Sequence, residues 1–367
     1  MGLQMFGINQ LNYNQMNKSE YRKIQFTGGS TYTVSLPKKW VVDNNLSSSD
    51  MVNITHLNDG NLQISPYESN SIKTVIELKI KNDFDTSLYV SLIGAYVGGA
   101  DVIKITSKTP ISKKNRRIIR EFLRESRGLE ISGDYDKEIY IISLLKQNEI
   151  PLKTSLNRMY ALVTQIIEDA LAVFDGEDDD LLSDIDDRER QIDARRLLVA
   201  RQVAMALQSP SIGKALGLDN YQGMEHVSMA RAFERMGDHA NSFANLILNH
   251  RVTKAQIRIR SSDVEVPRRH LTTWKNALKK LIYNTNLKNI DSIIEAKSEL
   301  HSAIQEIEKS EEIFFERKNL QNIAAFKFSE KTRRLCAYSI DLADTLINII
   351  VTSKMTVFKE ENKLIDV

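Results

Sequence analysis

From Pro151 onward the chain repeats one pattern almost to its end. Apolar residues recur every three to four positions over about 152–175, 180–207, 221–250, 268–288, 290–317 and 322–358. That period lays an apolar stripe along one side of a helix, and helices of this kind bury their stripes against one another. The C-terminal part, residues 151–367, is therefore predicted to be an all-α six-helix domain. Breaks at "DGEDDD", "QSPSIGKALGLDN" and "VEVP" divide the helices three plus three, as repeats of about 151–250 and 267–360. The third and sixth helices align weakly, "ERMGDHANSFAN" over "AYSIDLADTLIN". The alignment sets Asp238 over Asp341 and Asn245 over Asn348, which fits a duplicated three-helix unit.

The segments before Pro151 read differently. Residues 1–20 are rich in Asn and Gln and show no sustained period, as a flexible leader does. Between 21 and 67, "RKIQFTGGSTYTVSLP" alternates on either side of Gly28-Gly29, and "DMVNITHLNDGNLQIS" turns at Asp59-Gly60, so two hairpins are predicted. A short helix from Lys38 to Asn45, started by Pro37, lies between them. So few residues bury little sheet alone, which favours a dimer sharing one barrel. Residues 68–150 form a small α/β unit. Its strands are "KTVIELKI", "DVIKIT" and "EIYIISL", with helices at about 87–96 and 113–127. Gly98-Gly99 reads as a turn, since no phosphate-loop spacing follows it. The whole is a multidomain α+β chain.

Composition narrows the function classes. A net charge of +2 over 367 residues marks no global polyanion binder, so any nucleic-acid surface must be local. The single cysteine, Cys336, excludes disulfides within the chain and Cys-rich zinc sites, and fits a reduced, cytoplasmic setting. No apolar run is read as approaching the roughly 18–20 residues of a spanning helix, so no membrane insertion is expected. Gly-x-Ser-x-Gly, His-x-x-x-His and phosphate-loop motifs are missing from the sequence, and no enzyme is expected.

One stretch carries concentrated polar chemistry. In "FERMGDHANSFAN" (233–245), Glu234, Asp238, Asn241 and Asn245 fall on one stripe at about 100° per residue, with Phe233, Met236, Ala240 and Phe243 opposite. Such a stripe equally describes the solvated side of any surface helix. Its two carboxylates repel at one-turn spacing, and all four side chains offer oxygen, the ligand type of Mg²⁺, Mn²⁺, Ca²⁺ or iron. Two carboxylates cannot fill a coordination shell, so Asp193 or another acid of "SDIDDRERQID" on the preceding helix must add to them. His239, about 100° around the helix, reads better as a packing residue than as a ligand. Arg201 reads as half of a surface ion pair or an anion contact.

Two family resemblances follow from these motifs. "RKIQFTGGSTYTVSLPKKWVVDNNLSSSDMVNI" resembles the AbrB/SpoVT DNA-binding domains over about 45 residues. The resemblance implies a swapped-hairpin β-barrel homodimer with a basic face on DNA. Arg22, Lys23, Lys38 and Lys39 can approach phosphates, the dominant source of affinity for DNA. Locally, though, the basic residues Lys18, Arg22, Lys23, Lys38 and Lys39 barely outnumber Glu20, Asp43, Asp50 and Asp59, and a pure dimerisation module is the competing reading.

The helical half resembles PhoU, the phosphate-uptake regulators, through "RAFERMGDHANSFAN" and "QIDARRLLVARQV". That resemblance implies tandem three-helix bundles and carboxylates that bind divalent or iron-type metal ions. Glu234 and Asp238 lead, with Asp193, Asn241 and Asp341 in support. In the second repeat Ala337 stands at the glutamate position, so the first repeat is the better site. The combination is that of archaeal-type PhoU regulators with an AbrB-like head. It implies a transcriptional regulator of phosphate uptake that binds promoter DNA. The alternative is an interaction protein that dimerises through its head and restrains a phosphate ABC transporter through its ATPase or a signalling partner.

Overall fold

A computed structural model describes residues 20–56, 60–67, 73–82, 84–144, 150–252, 259–316 and 320–355. The expected leader, apart from Glu20, and Asp59 of the second hairpin turn lie outside them. The chain divides into two compact units, 1–72 and 73–367.

In the first unit, β1 (Gln25–Thr27) and β2 (Thr31–Thr33) pair antiparallel with Phe26 opposite Tyr32. Gly28 and Gly29 turn between them at φ 63° and 77°, the left-handed region that glycine enters without cost. Helix α1 (Lys38–Asp43) follows Pro37. Strands β3 (Val52–His56) and β4 (Leu62–Pro66) form the second hairpin, with Ile54 opposite Ile64. The two hairpins are separate two-stranded sheets. Arg22 and Lys23 precede β1 rather than lying in it. Among the described residues of this unit none is buried, and Ile24, Phe26, Tyr32, Met51 and Leu62 all face solvent. The described residues of the unit supply apolar side chains but form no core.

The second unit opens with β5 (Val75–Ile80), α2 (Ser87–Val97), β6 (Val102–Ser107), α3 (Lys113–Glu125), β7 (Leu129–Asp134) and β8 (Glu138–Ser143). They form one sheet of order β5-β6-β8-β7, parallel between β5 and β6 and antiparallel elsewhere. Strand β7 is additional to the three read from the sequence. Its alternation holds only two apolar residues, Leu129 and Ile131, before Gly133, where its register with β8 shifts. Ile103, Ile105, Ile139 and Ile141 bury one face of the sheet together with Leu92, Tyr96, Ile119 and Phe122 of α2 and α3.

Then come α4 (Leu152–Asp175), α5 (Ile185–Gln208), α6 (Pro210–Leu216), α7 (Asn220–Val252), α8 (Glu265–Leu287), α9 (Ile290–Glu316) and α10 (Leu320–Thr352). Helix α6 occupies the stretch read as a break. "VEVP" likewise belongs to the first turn of α8, where proline costs nothing because the amide it lacks would have no partner within the helix. Helices α4, α5 and α7 pack on one another, as do α8, α9 and α10, and α7 lies against α10. One continuous apolar core runs through all six long helices, including Phe233, Phe243, Trp274 and Phe328. Within it the Trp274 indole donates to Ser339 Oγ at 3.0 Å. The stretch Ile323–Thr352 of α10, with hydropathy 1.4, is long and apolar enough to cross a membrane, contrary to the sequence reading. Half of that window is buried within the protein, as in the core helix of a bundle.

Arg201 departs from its expected surface role. It is 3% exposed and donates to the carbonyls of Tyr96 at 2.7 Å and Ala100 at 3.0 Å, with its guanidinium over the Tyr96 ring. Gln208 donates to the Gly98 carbonyl at 3.1 Å. These side chains of α5 donate to carbonyls at and just after the C-terminal end of α2, where the helical ladder runs out. Gly99, at φ 91°, permits the approach, since a Cβ there would stand 2.8 Å from Met205 Cγ. Helix α5 is thus shared between the α/β sheet and the bundle.

Candidate metal centre

Helices α5 and α7 run antiparallel along one another, and their polar edges meet where α7 carries "ERMGD". Asp193, Glu234 and Asp238 each bring a carboxylate oxygen within 4.8 Å of the others. The stripe on α7 and the acid proposed from the neighbouring helix therefore come together in space. Gly237 allows the close approach: a Cβ there would lie 3.0 Å from Ile192 Cδ1 and 3.2 Å from Ile192 Cγ2. A glycine within a helix costs about 1 kcal/mol against alanine, so its place here has a packing reason.

A fourth carboxylate joins the group. Glu189, one turn before Asp193, accepts a hydrogen bond from Asn241 Nδ2. Asn241 in turn accepts one from Asn245 Nδ2 at 2.8 Å. Both polar ends of Asn241 are thus engaged, and it stands behind the cluster, orienting Glu189, rather than within it. The sequence did carry this signal. Glu189-x-x-x-Asp193 has the same one-turn spacing as Glu234-x-x-x-Asp238, but only the antiparallel contact shows that the two pairs face each other.

The electrostatics follow from that crowding. Burial, then the charges of Glu234, Asp238 and Glu189, push Asp193 up to about 7. Burial and Asp238 raise Glu234, against the pull of Arg196 and Arg235. Burial also raises Glu189. The compensating cations did not enter the sequence reading. Arg196 Nε lies 3.6 Å from Glu234 Oε1, and Arg235 lies 3.7 Å from Glu234 and 3.9 Å from Asp238. These are long contacts that leave the carboxylate oxygens facing each other. The donor set is all oxygen, which suits hard divalent cations or iron and not a thiolate zinc site. Asp193, Glu234 and Asp238 would hold such an ion directly.

The other candidates are placed as follows. His239 stacks on Tyr338 with ring centroids 5.5 Å apart, a packing role as expected, and burial lowers its pKa. Asp341 of α10 is exposed, and its carboxyl is raised by partial desolvation and by Asp344. Asp344 itself is paired with Lys297 of α9. Asn348 donates to Glu225 at 3.2 Å and takes no part in a carboxylate cluster. In the first unit, Arg22 is paired with the Glu20 carboxylate, while Lys23, Lys38 and Lys39 are exposed.

Comparison with known families agrees with both halves of this architecture. Residues 156–247 match the PhoU domain, spanning α4 to α7 up to the acidic cluster and beyond. Residues 25–71 match "antidote-toxin recognition MazE, bacterial antitoxin", a MazE/AbrB-type domain. No curated protein matches the chain.

Proposed function

From a PhoU domain joined to a MazE/AbrB-type head, we propose that the protein is a dimeric, DNA-binding regulator of phosphate uptake whose helical body binds metal. The acidic centre supports the reading most strongly: four carboxylates from two crossing helices, with only long arginine contacts between them, form a site that a bound cation would stabilise. The metal would neutralise Asp193, Glu234 and Asp238 and hold α5 to α7. Because α5 also carries the contacts to α2, occupancy there would be felt by the α/β sheet.

The head supports dimerisation. With none of its described residues buried, it gains a core by pairing its hairpins with those of a second copy, as a shared barrel does. Arg22, Lys23, Lys38 and Lys39 are its phosphate contacts. The Arg22–Glu20 pair favours a second reading, in which the head only dimerises and the body acts on a phosphate ABC transporter ATPase or a signalling partner. We read the protein as a cytoplasmic regulator and not an enzyme.

Mobility shifts on fragments upstream of phosphate-transport genes separate the two readings. Under the first, Lys23→Ala/Lys38→Ala weakens binding and lowers its salt dependence by about two counter-ions. Unchanged shifts at low salt would sink the DNA claim and leave the interaction reading.

A further inference from the structure

The sheet of the second unit ends on two edge strands, and they are finished differently. On β7 the register with β8 shifts between Ile131 and Gly133, and Arg116 closes over the end of the strand, pairing with Asp134 and donating to the Tyr135 carbonyl at 2.9 Å. Bulges and charges of this kind keep an edge from pairing further. On β5 the register with β6 runs unbroken from Val75 to Ile80, and among the described strands β6 is its one neighbour. The Thr74 carbonyl accepts from the amides of Asp101 at 2.8 Å and Val102 at 3.0 Å. Backbone groups alternate in direction along a strand, so those of Ile76 and Leu78 also face β6, while those of Val75, Glu77 and Lys79 point outward with no strand to meet them. The Lys81 amide, next in that row, is closed by Asp85 at 3.1 Å.

The side chains of β5 suit a particular partner. Ile76, Leu78 and Ile80 share the face covered by the helices: Ile80 belongs to the core, Leu78 packs against it, and Ile76 is 36% exposed at the margin. Glu77 and Lys79 share the open face, and neither has an ion pair among the described residues. Glu77 accepts from the Thr106 hydroxyl at 3.0 Å, and Lys104, opposite it on β6, is taken by Glu138 at 3.2 Å. An acid and a base two residues apart are self-complementary in antiparallel pairing. Rotation about Leu78 sets Glu77 opposite the partner's Lys79 and Lys79 opposite the partner's Glu77. The same rotation sets Ile76 opposite the partner's Ile80, and it makes the charged pairs the hydrogen-bonded ones, because both residues carry outward backbone groups. A slip of two residues either way would set Glu77 on the partner's Glu77 or Lys79 on the partner's Lys79, so one register is selected.

We propose that β5 pairs antiparallel with β5 of a second copy about a two-fold axis at Leu78, joining two four-stranded sheets into one. This interface is isologous, lies outside the head, and forms whether or not the hairpins of the heads are shared.

Thiol cross-linking of the full chain under a mild oxidant tests it, with Cys336 buried and out of reach. Leu78→Cys sets two Cα atoms about 4.5 Å apart, within disulfide range, and gives a covalent dimer; Ile76→Cys, whose copies stand about 14 Å apart, does not. Glu77→Cys/Lys79→Cys, at exposed positions about 5.5 Å apart across the axis, reads the same register without touching the core. Glu77→Lys sets like charges against each other and slows the Leu78→Cys link about fivefold or more, and Glu77→Lys/Lys79→Glu restores it. Failure of both the Leu78→Cys and the Glu77→Cys/Lys79→Cys links would overturn the proposal. Equal linking through Ile76→Cys, or a link indifferent to Glu77→Lys, would do the same. A dimer in sedimentation without either link would leave dimerisation by the head standing and remove this interface.

Discussion

Helices α7 and α10 each carry a polar edge, and the two edges solve the same electrostatic problem in different ways. In the first, α5 sets Glu189 and Asp193 against Glu234 and Asp238, so acid faces acid. In the second, α9 sets Lys297 against Asp344, and Ala337 has removed the carboxylate one turn before Asp341. An ammonium built into the chain makes the second edge self-sufficient. The first edge lacks such a group, and its arginines stand at 3.6–3.9 Å and half to one side. Two similar edges thus differ in one respect: a lysine neutralises one, and like charges face each other on the other.

The largest effect is expected where the acidic edge is dismantled. Glu234→Ala/Asp238→Ala should abolish metal retained by the purified protein, read by elemental analysis against the parent chain; equal metal content in both would refute the assignment. Next, the second edge can be converted. Lys297→Asp with Ala337→Glu recreates two facing acids, and metal bound per chain should rise by one equivalent in calorimetry with Mn²⁺.

A smaller, graded effect belongs to pH. Asp193 titrates near 7 in the folded protein and near 3.8 otherwise, so the folded chain holds a proton that the unfolded chain has released. Metal-free stability therefore falls as pH rises from the ordinary carboxylate range to about 7 and levels off above it. Metal binding displaces that proton, so affinity should climb with pH over the same window, by up to about tenfold per unit. Melting curves with EDTA and with Mn²⁺ should diverge as pH rises; parallel curves would remove Asp193 from the site. The smallest effect concerns the self-neutralised edge. Lys297→Ala breaks a half-exposed pair and should cost less than about 1 kcal/mol in denaturant unfolding, with metal content unchanged.

Much of the fold was legible in advance because it rests on periodicity. The six long helices announced themselves by their apolar spacing, and the hairpins by Gly28-Gly29 and alternation. Strand β7 escaped because glycine, Gly133, stands at its third inward position, and α6 because Gly213, Gly217 and the single proline Pro210 resemble a loop. Arg201 was misread for a different reason. It stands in the apolar run "LLVARQVAMAL", a local hint of burial, but nothing local shows that its partners are carbonyls a hundred residues earlier in the chain.

The sequence by itself determined which residues could serve as ligands. Side-chain chemistry and the one-turn spacing of Glu234 and Asp238 are local properties. Tertiary structure alone decided which of them meet. It brought Asp193 and Glu189 across from α5 at a contact that Gly237 permits, turned Asn241 into a support, and gave Asp344 a lysine. Each of these pairings joins positions far apart in the chain, and their energies depend on distance and burial, which helical period does not encode.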